Sequence, residues 1–429
     1  MVFGILAFPS YHLQVSTPTS SPPAPGTLTF EDARYCVEDR ARRLRQPRTE
    51  LVELLGSRNR VLAELIVADR DFPPFDRATR DGYAVRSGDL ASIPASLGIV
   101  GEIKAGVNIE DFPALLPGQA AAIMTGAAVP NGADAVVMVE YTSRNGNQVE
   151  ITKGVSAGEN IVPEGSEAKN GVQLLTPGTS LDYAAIAVAA SVGKSQLQVF
   201  AKPRVAILST GDEVVDVAAV PKPFQIRNSN SYSLAAQVEA AGGDAVILSI
   251  APDEPSRLRT LIEKGFESDL LLMAGGVSMG KYDLVEVVLA DLGVEFFFTG
   301  VKIQPGKPLV FGRYPAKVKY FFGLPGNPVS TMVTFELFVR PLLAGLAGAT
   351  SKRLSFLSAK LGSGIRVKTG LTRFLPAQLS GEFREAEVRL VAWQGSGDIA
   401  ATVAANCYIV VPPDREKIAA GEWVPVMMR

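Results

Sequence analysis

Three short apolar runs, each stopping at a loop of small residues, constrain this chain most. Arg204-Val205-Ala206-Ile207-Leu208 runs into Ser209-Thr210-Gly211-Asp212-Glu213. Asp269-Leu270-Leu271-Leu272-Met273-Ala274 runs into Gly275-Gly276-Val277-Ser278-Met279-Gly280. Lys319-Tyr320-Phe321-Phe322 runs into Gly323-Leu324-Pro325-Gly326-Asn327-Pro328-Val329-Ser330. Continuous apolar runs bounded by glycine mark parallel strands buried on both faces. Helical patterns lie between them, so the region reads as βαβ. In such sheets ligands bind beyond the carboxyl ends of the strands. The three loops are therefore expected to line one site.

Their chemistry points to an anion. Gly275, Gly276, Ser278 and Gly280 lie in a loop whose backbone N–H groups can wrap a phosphate, since glycine leaves no side chain in the way. An ordinary turn explains the same residues. Asp283 follows three residues later, and a carboxylate beside a phosphate calls for a bridging cation. Pro305-Gly306-Lys307-Pro308 clamps a lysine that could act as a point charge for phosphate, with Lys302 nearby; both also read as surface lysines. Asn327 suits a helix N-cap and Pro328 the first turn, where free N–H groups attract anions. Asp212, Glu213 and Asp253 add carboxylates.

What the chain lacks narrows the reaction. It has one histidine, His12, and two cysteines, Cys36 and Cys407, far apart in sequence. Histidine triads and His/Cys zinc sites are thereby excluded. A metal would need oxygen ligands, which favours magnesium. Carboxylates plus anion cradles fit phosphoester chemistry better than acyl transfer.

With 429 residues the chain needs more than one core. A net charge of −2 gives no basic field for nucleic acid. No apolar run is expected to approach the roughly 20 residues of a membrane span, so no membrane partner is expected and the cytoplasm is the default compartment. Residues 1–26 include a Ser/Thr/Pro-rich stretch and read as a disordered tail. Thr29 caps a helix over 29–45, with acidic residues in its first turn. Residues 72–86 hold Asp76, Arg77, Arg80 and Asp81 behind Pro73-Pro74. The two prolines argue for a rigid loop and against a central strand. That loop reads equally as a functional element or a surface turn. Runs at 99–107, 119–124, 135–139 and 148–152 read as strands of a small β-rich module, with Thr125 at a strand end. Beyond 351 the pattern becomes β-rich again, a separate small domain.

Taken together, the Asp76–Ala84 loop, residues 123–134, 209–213, 275–283, 305–308 and 323–330 resemble the molybdopterin molybdenumtransferase family, the MoeA-type molybdenum insertases that include the C-terminal domain of gephyrin. Gln394-Gly395-Ser396-Gly397 is similar to a turn in the family's last domain. The resemblance implies a multidomain α/β plus β protein. Its parts would be a linker domain at 27–71 and 154–200, an inserted β-rich domain at 72–153, a three-layer α/β molybdopterin-binding domain at 201–350 and a β-barrel at 351–429. It implies a homodimer, with each site between one subunit's α/β domain and the other's N-terminal domains. The implied reaction takes adenylylated molybdopterin and molybdate and releases AMP with help from Mg2+. Catalytic positions fall on Asp76, Thr125, Glu213, Asp253 and Asp283, with Asp253 and Asp283 toward the metal. Substrate contacts fall on Ser209, Thr210, Gly211, Gly275, Gly276, Ser278, Gly280, Lys302, Lys307, Pro325, Asn327, Pro328 and Ser330. The adenylyltransferase and the apoenzymes that receive the cofactor are further implied partners.

The chain departs from the family pattern at Arg77, Arg80, Ala122, Val162, Glu167 and Gln304. Arg77 and Arg80 are expected either to replace anion attraction lost at Ala122 and Val162, or to pair with Asp76 and Asp81. Two other activities fit the same α/β domain. Molybdopterin adenylyl transfer would consume ATP and free molybdopterin. A non-catalytic dimeric scaffold would turn nothing over.

Overall fold

The computed structural model describes residues 26–276, 284–350 and 354–429. The chain forms two compact units. One is Arg48–Phe200, and the other joins the N-terminal segment through Pro47 to Ala201–Arg429.

The larger unit is built on a six-stranded sheet in the order Asp244–Ile247, Arg204–Ser209, Leu270–Ala274, Lys319–Leu324, Val310–Tyr314, Glu295–Phe298. The first four strands are parallel, as the apolar runs predict. The last two are antiparallel additions that the run pattern did not reveal. Every residue of Leu270–Ala274 is buried, because helices cover both faces. Register decides where the loops go: Ser209 lies beside Ala274, and Ala274 beside Leu324. The three small-residue loops therefore leave the sheet side by side.

The final helical stretch of this sheet corrects the expectation about apolar length. Pro328–Leu346 is 19 residues of mean hydropathy 1.4, long and apolar enough to cross a membrane. Here it is a core helix. Val329, Val333, Phe335, Phe338, Leu342 and Leu343 are fully buried against the sheet and the N-terminal helix. Its middle, Phe335–Val339, is a π-turn. Pro341 follows two residues on; it has no N–H to donate, and its ring crowds the carbonyl four residues back, so the widened turn relieves a conflict that an α-turn would carry.

The N-terminal helix Phe30–Arg42 is capped as predicted, Thr29 Oγ1 accepting the Asp32 N–H at 3.1 Å. It buries Phe30, Ala33, Val37 and Ala41 at helical spacing in the core of the larger unit. Residues 27–47 thus pack with the α/β domain and not, as expected, with the linker domain. The strand Thr27–Leu28 adds to this by pairing with Gly300–Val301. Removing the cap with Thr29→Ala should lower stability by about 1 kcal/mol. Chemical denaturation measures it, and an unchanged midpoint with an unchanged slope excludes the cap as a stabiliser.

The C-terminal domain is a closed barrel. Thr372–Ser380 pairs with Glu387–Leu390, then Leu357–Leu361, Trp423–Met428 and Cys407–Val411 follow, and the last returns to Thr372–Ser380. Closure leaves no edge among the five. Cys407 is fully buried in the barrel core, and burial pushes its thiol up to about 11. Burial also raises the Cys36 thiol. Neither cysteine is poised as a thiolate nucleophile.

The smaller unit holds a six-stranded sheet in the order Ala135–Met138, Gly82–Val85, Gln119–Ile123, Ala95–Ile103, Gln148–Ile151, Thr142–Asn145. Here the loop expected over 72–86 is corrected. Its second half, Gly82–Val85, is a fully buried interior strand. Proline restricts itself and the residue before it, so Pro73 and Pro74 have no hold on the strand that starts at Gly82. The remainder of this unit pairs Thr49–Glu53 with Gln196–Phe200 and packs the Asp182-capped helix Tyr183–Ser191 over Leu62, Ile66 and Leu197.

Candidate functional site

At the carboxyl ends of the parallel strands the larger unit has a cavity of about 350 Å³. Its floor is set by the first strand's end. Ser209 Oγ donates to Asn228 Oδ1 at 2.9 Å and lies 2.8 Å from Ser231 Oγ, which also receives the Asn228 amide at 3.0 Å. Asn228 Oδ1 further accepts the Ser231 N–H at 3.1 Å, capping the helix Ser229–Ala240. This buried polar triangle pins the helix start to the strand end. All its members are paired, so it holds geometry at little desolvation cost.

Thr210 comes next. Its N–H bonds Ala274 O at 3.1 Å, while its buried Oγ1 has no partner among the described residues. Gly275 and Gly276 press against it with φ of +91° and +66°. Across the cavity Asn230 ties the third loop down, its Nδ2 donating to Gly326 O at 2.7 Å. Asn327 Nδ2 donates to Ser396 Oγ at 2.9 Å, and Val329 N–H to Ser396 O at 3.0 Å. The Gln394–Gly397 turn thus joins the site, and Gly397 and Ile399 line the cavity.

Of the residues singled out from sequence, Ser209, Thr210, Glu213, Gly275, Asn327 and Pro328 line this cavity. Gly211 and Gly276 adjoin it in the same loops. Asp253 donates its N–H to Asp212 Oδ1 at 3.1 Å, next to Glu213. Four others are not brought to the lining. Lys302 is exposed where its N–H meets Leu28 O and its carbonyl accepts from Thr372. Lys307 is exposed, its carbonyl tied to the Val301 and Leu309 N–H groups. Pro325 O accepts the Thr331 hydroxyl at 2.5 Å, and Ser330 O the Thr334 hydroxyl at 2.8 Å, so both shape the turn into the helix. Ser278, Gly280 and Asp283 lie outside the described residues. Sequence reading missed Arg227, Asn228 and Asn230, which also line the cavity. The signal was available: Asn228-Ser229-Asn230 directly opens a helix, as a cap does.

A second cavity, of about 280 Å³, lies in the smaller unit and is lined by Asp81, Tyr83, Glu102, Ala122 and Met124 among others. Thr125 follows Met124. Its N–H donates to Asp81 Oδ1 at 2.6 Å. The carboxylate that meets Thr125 is therefore Asp81. Register explains this: Gly82 lies opposite Ile123, which carries Asp81 beside the turn after Met124. Asp76 instead accepts the Glu164 N–H at 2.8 Å and does not line the cavity. Arg77 pairs with Glu167 at 2.9 Å, and Arg80 donates to Thr79 O at 3.2 Å. Neither arginine pairs with Asp76 or Asp81, so the expected pairing is not found.

The Thr125 N–H, followed by the Thr125 hydroxyl, holds the Asp81 carboxyl below the usual carboxylate range. A depressed folded pKa contributes stability above the unfolded value of about 3.9, and that stability is lost as pH falls through the folded value. Carbon-detected NMR should find Asp81 titrating below 3.8. It should also find the Thr125 amide resonance moving with the same midpoint. Independent midpoints would break the link.

For a magnesium ion the donor set is oxygen only. Among the described residues no group of three or more His, Cys, Asp or Glu side chains converges. Mg2+ keeps several waters and takes one or two carboxylates together with substrate phosphate; the carboxylates at and beside the cavity are Glu213, Asp212 and Asp253. A transition-metal cage would need more.

Comparison with known proteins agrees with this architecture. Residues 28–193 match the MoeA N-terminal region (domain I and II). Residues 206–345 match the probable molybdopterin binding domain, and residues 358–428 the MoeA C-terminal region (domain IV). The chain is 40% identical over 309 residues to a molybdopterin molybdenumtransferase of Nostoc sp., covering 71% of this chain and 70% of that one. It is 33% identical to the protein of the same name from Haemophilus influenzae, over 88% and 93% of the two chains. Among solved structures, a molybdopterin biosynthesis MoeA protein from Pyrococcus horikoshii superposes with a TM-score of 0.74 at 29% identity, over 94% of this chain and 100% of that one. With all three regions present, in order and at these identities, the chain belongs to the MoeA family of molybdopterin molybdenumtransferases.

Proposed function

We propose that the protein completes the molybdenum cofactor by inserting molybdate into adenylylated molybdopterin and releasing AMP. The observation that carries this is the cavity at the strand ends, lined by Gly275 at positive φ, by Glu213 and by Thr210, whose hydroxyl has no partner among the described residues. The names of the relatives support the substrate class.

In this reading the backbone of the Gly275 loop and the start of the helix Ser229–Ala240 bind the phosphoryl oxygens. Thr210 Oγ1 gains from substrate the hydrogen bond it lacks. Glu213 takes a proton from the water that attacks the anhydride phosphorus, and the bridging oxygen leaves with the departing phosphate as the P–O bond breaks. Asp253, with Asp283, would hold Mg2+, which when bound withdraws charge from the phosphorus–oxygen bond that breaks. Asp81 and Thr125 form a second, rigid donor–acceptor pair for the reaction. We further propose that the protein works as a homodimer in the cytoplasm, handing its product to apoenzymes.

Incubation with adenylylated molybdopterin, molybdate and Mg2+ tests the reaction. AMP should appear in proportion to molybdenum cofactor, and EDTA should stop it. Consumption of ATP and free molybdopterin would show adenylyl transfer instead. No turnover by a protein that is dimeric on light scattering would favour a scaffold, and a fully active monomer would exclude the dimer.

A further inference from the structure

The two lysines expected to supply positive charge do not line the cavity, yet the proposed substrate brings at least one phosphate there. Among the described lining residues one cation is present, Arg227. It belongs to the short strand Ile226–Arg227, which pairs in parallel with Val214–Val215 just after Glu213. Its Nε donates to Ala219 O at 3.0 Å. Arg227 is exposed; that bond holds the guanidinium through its inner nitrogen, and among the described residues neither terminal NH2 group has a hydrogen bond, so the fork faces solvent at the cavity. Among the described residues no carboxylate pairs with Arg227, although Glu213 lines the same cavity. An arginine anchored at Nε with its outer fork unused is preorganised for bidentate binding of a tetrahedral oxyanion. Thr210 Oγ1, on a residue only 4% exposed and without a partner among the described residues, is an independent polar group at the cavity that a ligand could satisfy.

Resting on the function proposed above, we propose that Arg227 is a substrate-positioning residue that clamps the adenylyl phosphate through its two terminal NH2 groups. The shared chemistry is that of a tetrahedral oxyanion, which the adenylyl phosphate and molybdate both offer, and the probes below distinguish the two. The Ser229 and Asn230 N–H groups, at the start of the adjoining helix, add their dipole to the same anion.

Calorimetry on the full-length protein separates the sources with three probes: AMP, adenosine and molybdate. Arg227→Met should weaken AMP binding about 10- to 100-fold, the size of a lost charged hydrogen-bond pair. It should leave adenosine and molybdate unchanged. Arg227→Lys keeps the charge but not the fork and should recover only part of the loss. In turnover the methionine variant should raise KM for adenylylated molybdopterin more than it lowers kcat. A merely structural arginine would weaken AMP and adenosine alike, and that result overturns the clamp. So does loss of molybdate binding alone, or absence of AMP binding by the parent protein. If the parent turns over substrate while Arg227→Met keeps its KM, the clamp falls and the reaction stands. If AMP binding depends on Arg227 but no AMP is released from adenylylated molybdopterin, the reaction falls and the clamp stands.

Discussion

Gly275→Ala is expected to lower kcat/KM for AMP release by about 100-fold or more. Gly275 sits at φ +91°, a backbone conformation that costs an L-residue about 1–2 kcal/mol. The added Cβ would stand 2.8 Å from the carbonyl oxygen of Thr210 and 3.3 Å from its Oγ1. The first neighbour is backbone and cannot swing aside. Relief requires the end of Leu270–Ala274 and the Thr210 loop to part, and these are two walls of one cavity. A displacement of about 1 Å in a positioning element is enough for a loss of that order. The sheet itself should survive, since the strain falls at its rim. The test compares kcat/KM with the thermal transition of the larger unit. A parent-like kcat/KM with an intact fold would remove the Gly275 loop from the substrate site. Gly118→Ala, also at positive φ but with nothing within 4 Å, is a control for backbone strain alone.

Gly82→Ala should produce the largest loss of stability in the smaller unit, about 3 kcal/mol or more. A Cβ at Gly82 would lie 1.9 Å from the carbonyl oxygen of Val137 and 2.9 Å from the Val139 nitrogen. Both belong to the chain paired on one side of the interior strand Gly82–Val85, while Gln119–Ile123 flanks the other. The strand cannot retreat from one neighbour without entering the other. The side chain next in sequence is Asp81, so the Asp81–Thr125 contact should be lost as well. Differential scanning calorimetry should show a lowered transition for this unit. Amide exchange should accelerate along Gly82–Val85 and Ala135–Met138. Parent-like protection in both strands would refute the clash.

Much of the α/β domain was legible from sequence because its signals are local. Leu270–Ala274 is apolar at every position, and only a strand covered on both faces can bury all of it. Glycine loops at the strand ends located the cavity, since ligands gather where a parallel sheet's strands stop. Thr29 and Asn327-Pro328 marked helix starts, Thr29 by accepting a first-turn N–H and Pro328 by sitting where no N–H donor is needed. The antiparallel strands Val310–Tyr314 and Glu295–Phe298 were not read, because short strands added beside a parallel core are recognised by their pairing and not by a run of their own.

Pairings between distant residues lay beyond the sequence. Residues 72–86 offered Asp76 and Asp81 as equivalent carboxylates in one charged loop. Only the register of Gly82 against Ile123 decided that Asp81 meets Thr125. Arg77 stood among nearby carboxylates, yet its partner is Glu167, ninety positions on. Lys302 and Lys307 looked like phosphate ligands because lysine beside glycine is a common anion contact. The fold spends that segment on joining Leu28 and Thr372, and it is Arg227 that reaches the cavity. Composition and spacing determined which elements form and which end of the sheet carries the site, since hydrophobic burial and helix capping act over a few residues. Which charges face that site was decided by tertiary structure, because side-chain partners are set by strand register and by loop closures spanning tens of residues, and neither leaves a mark on neighbouring positions.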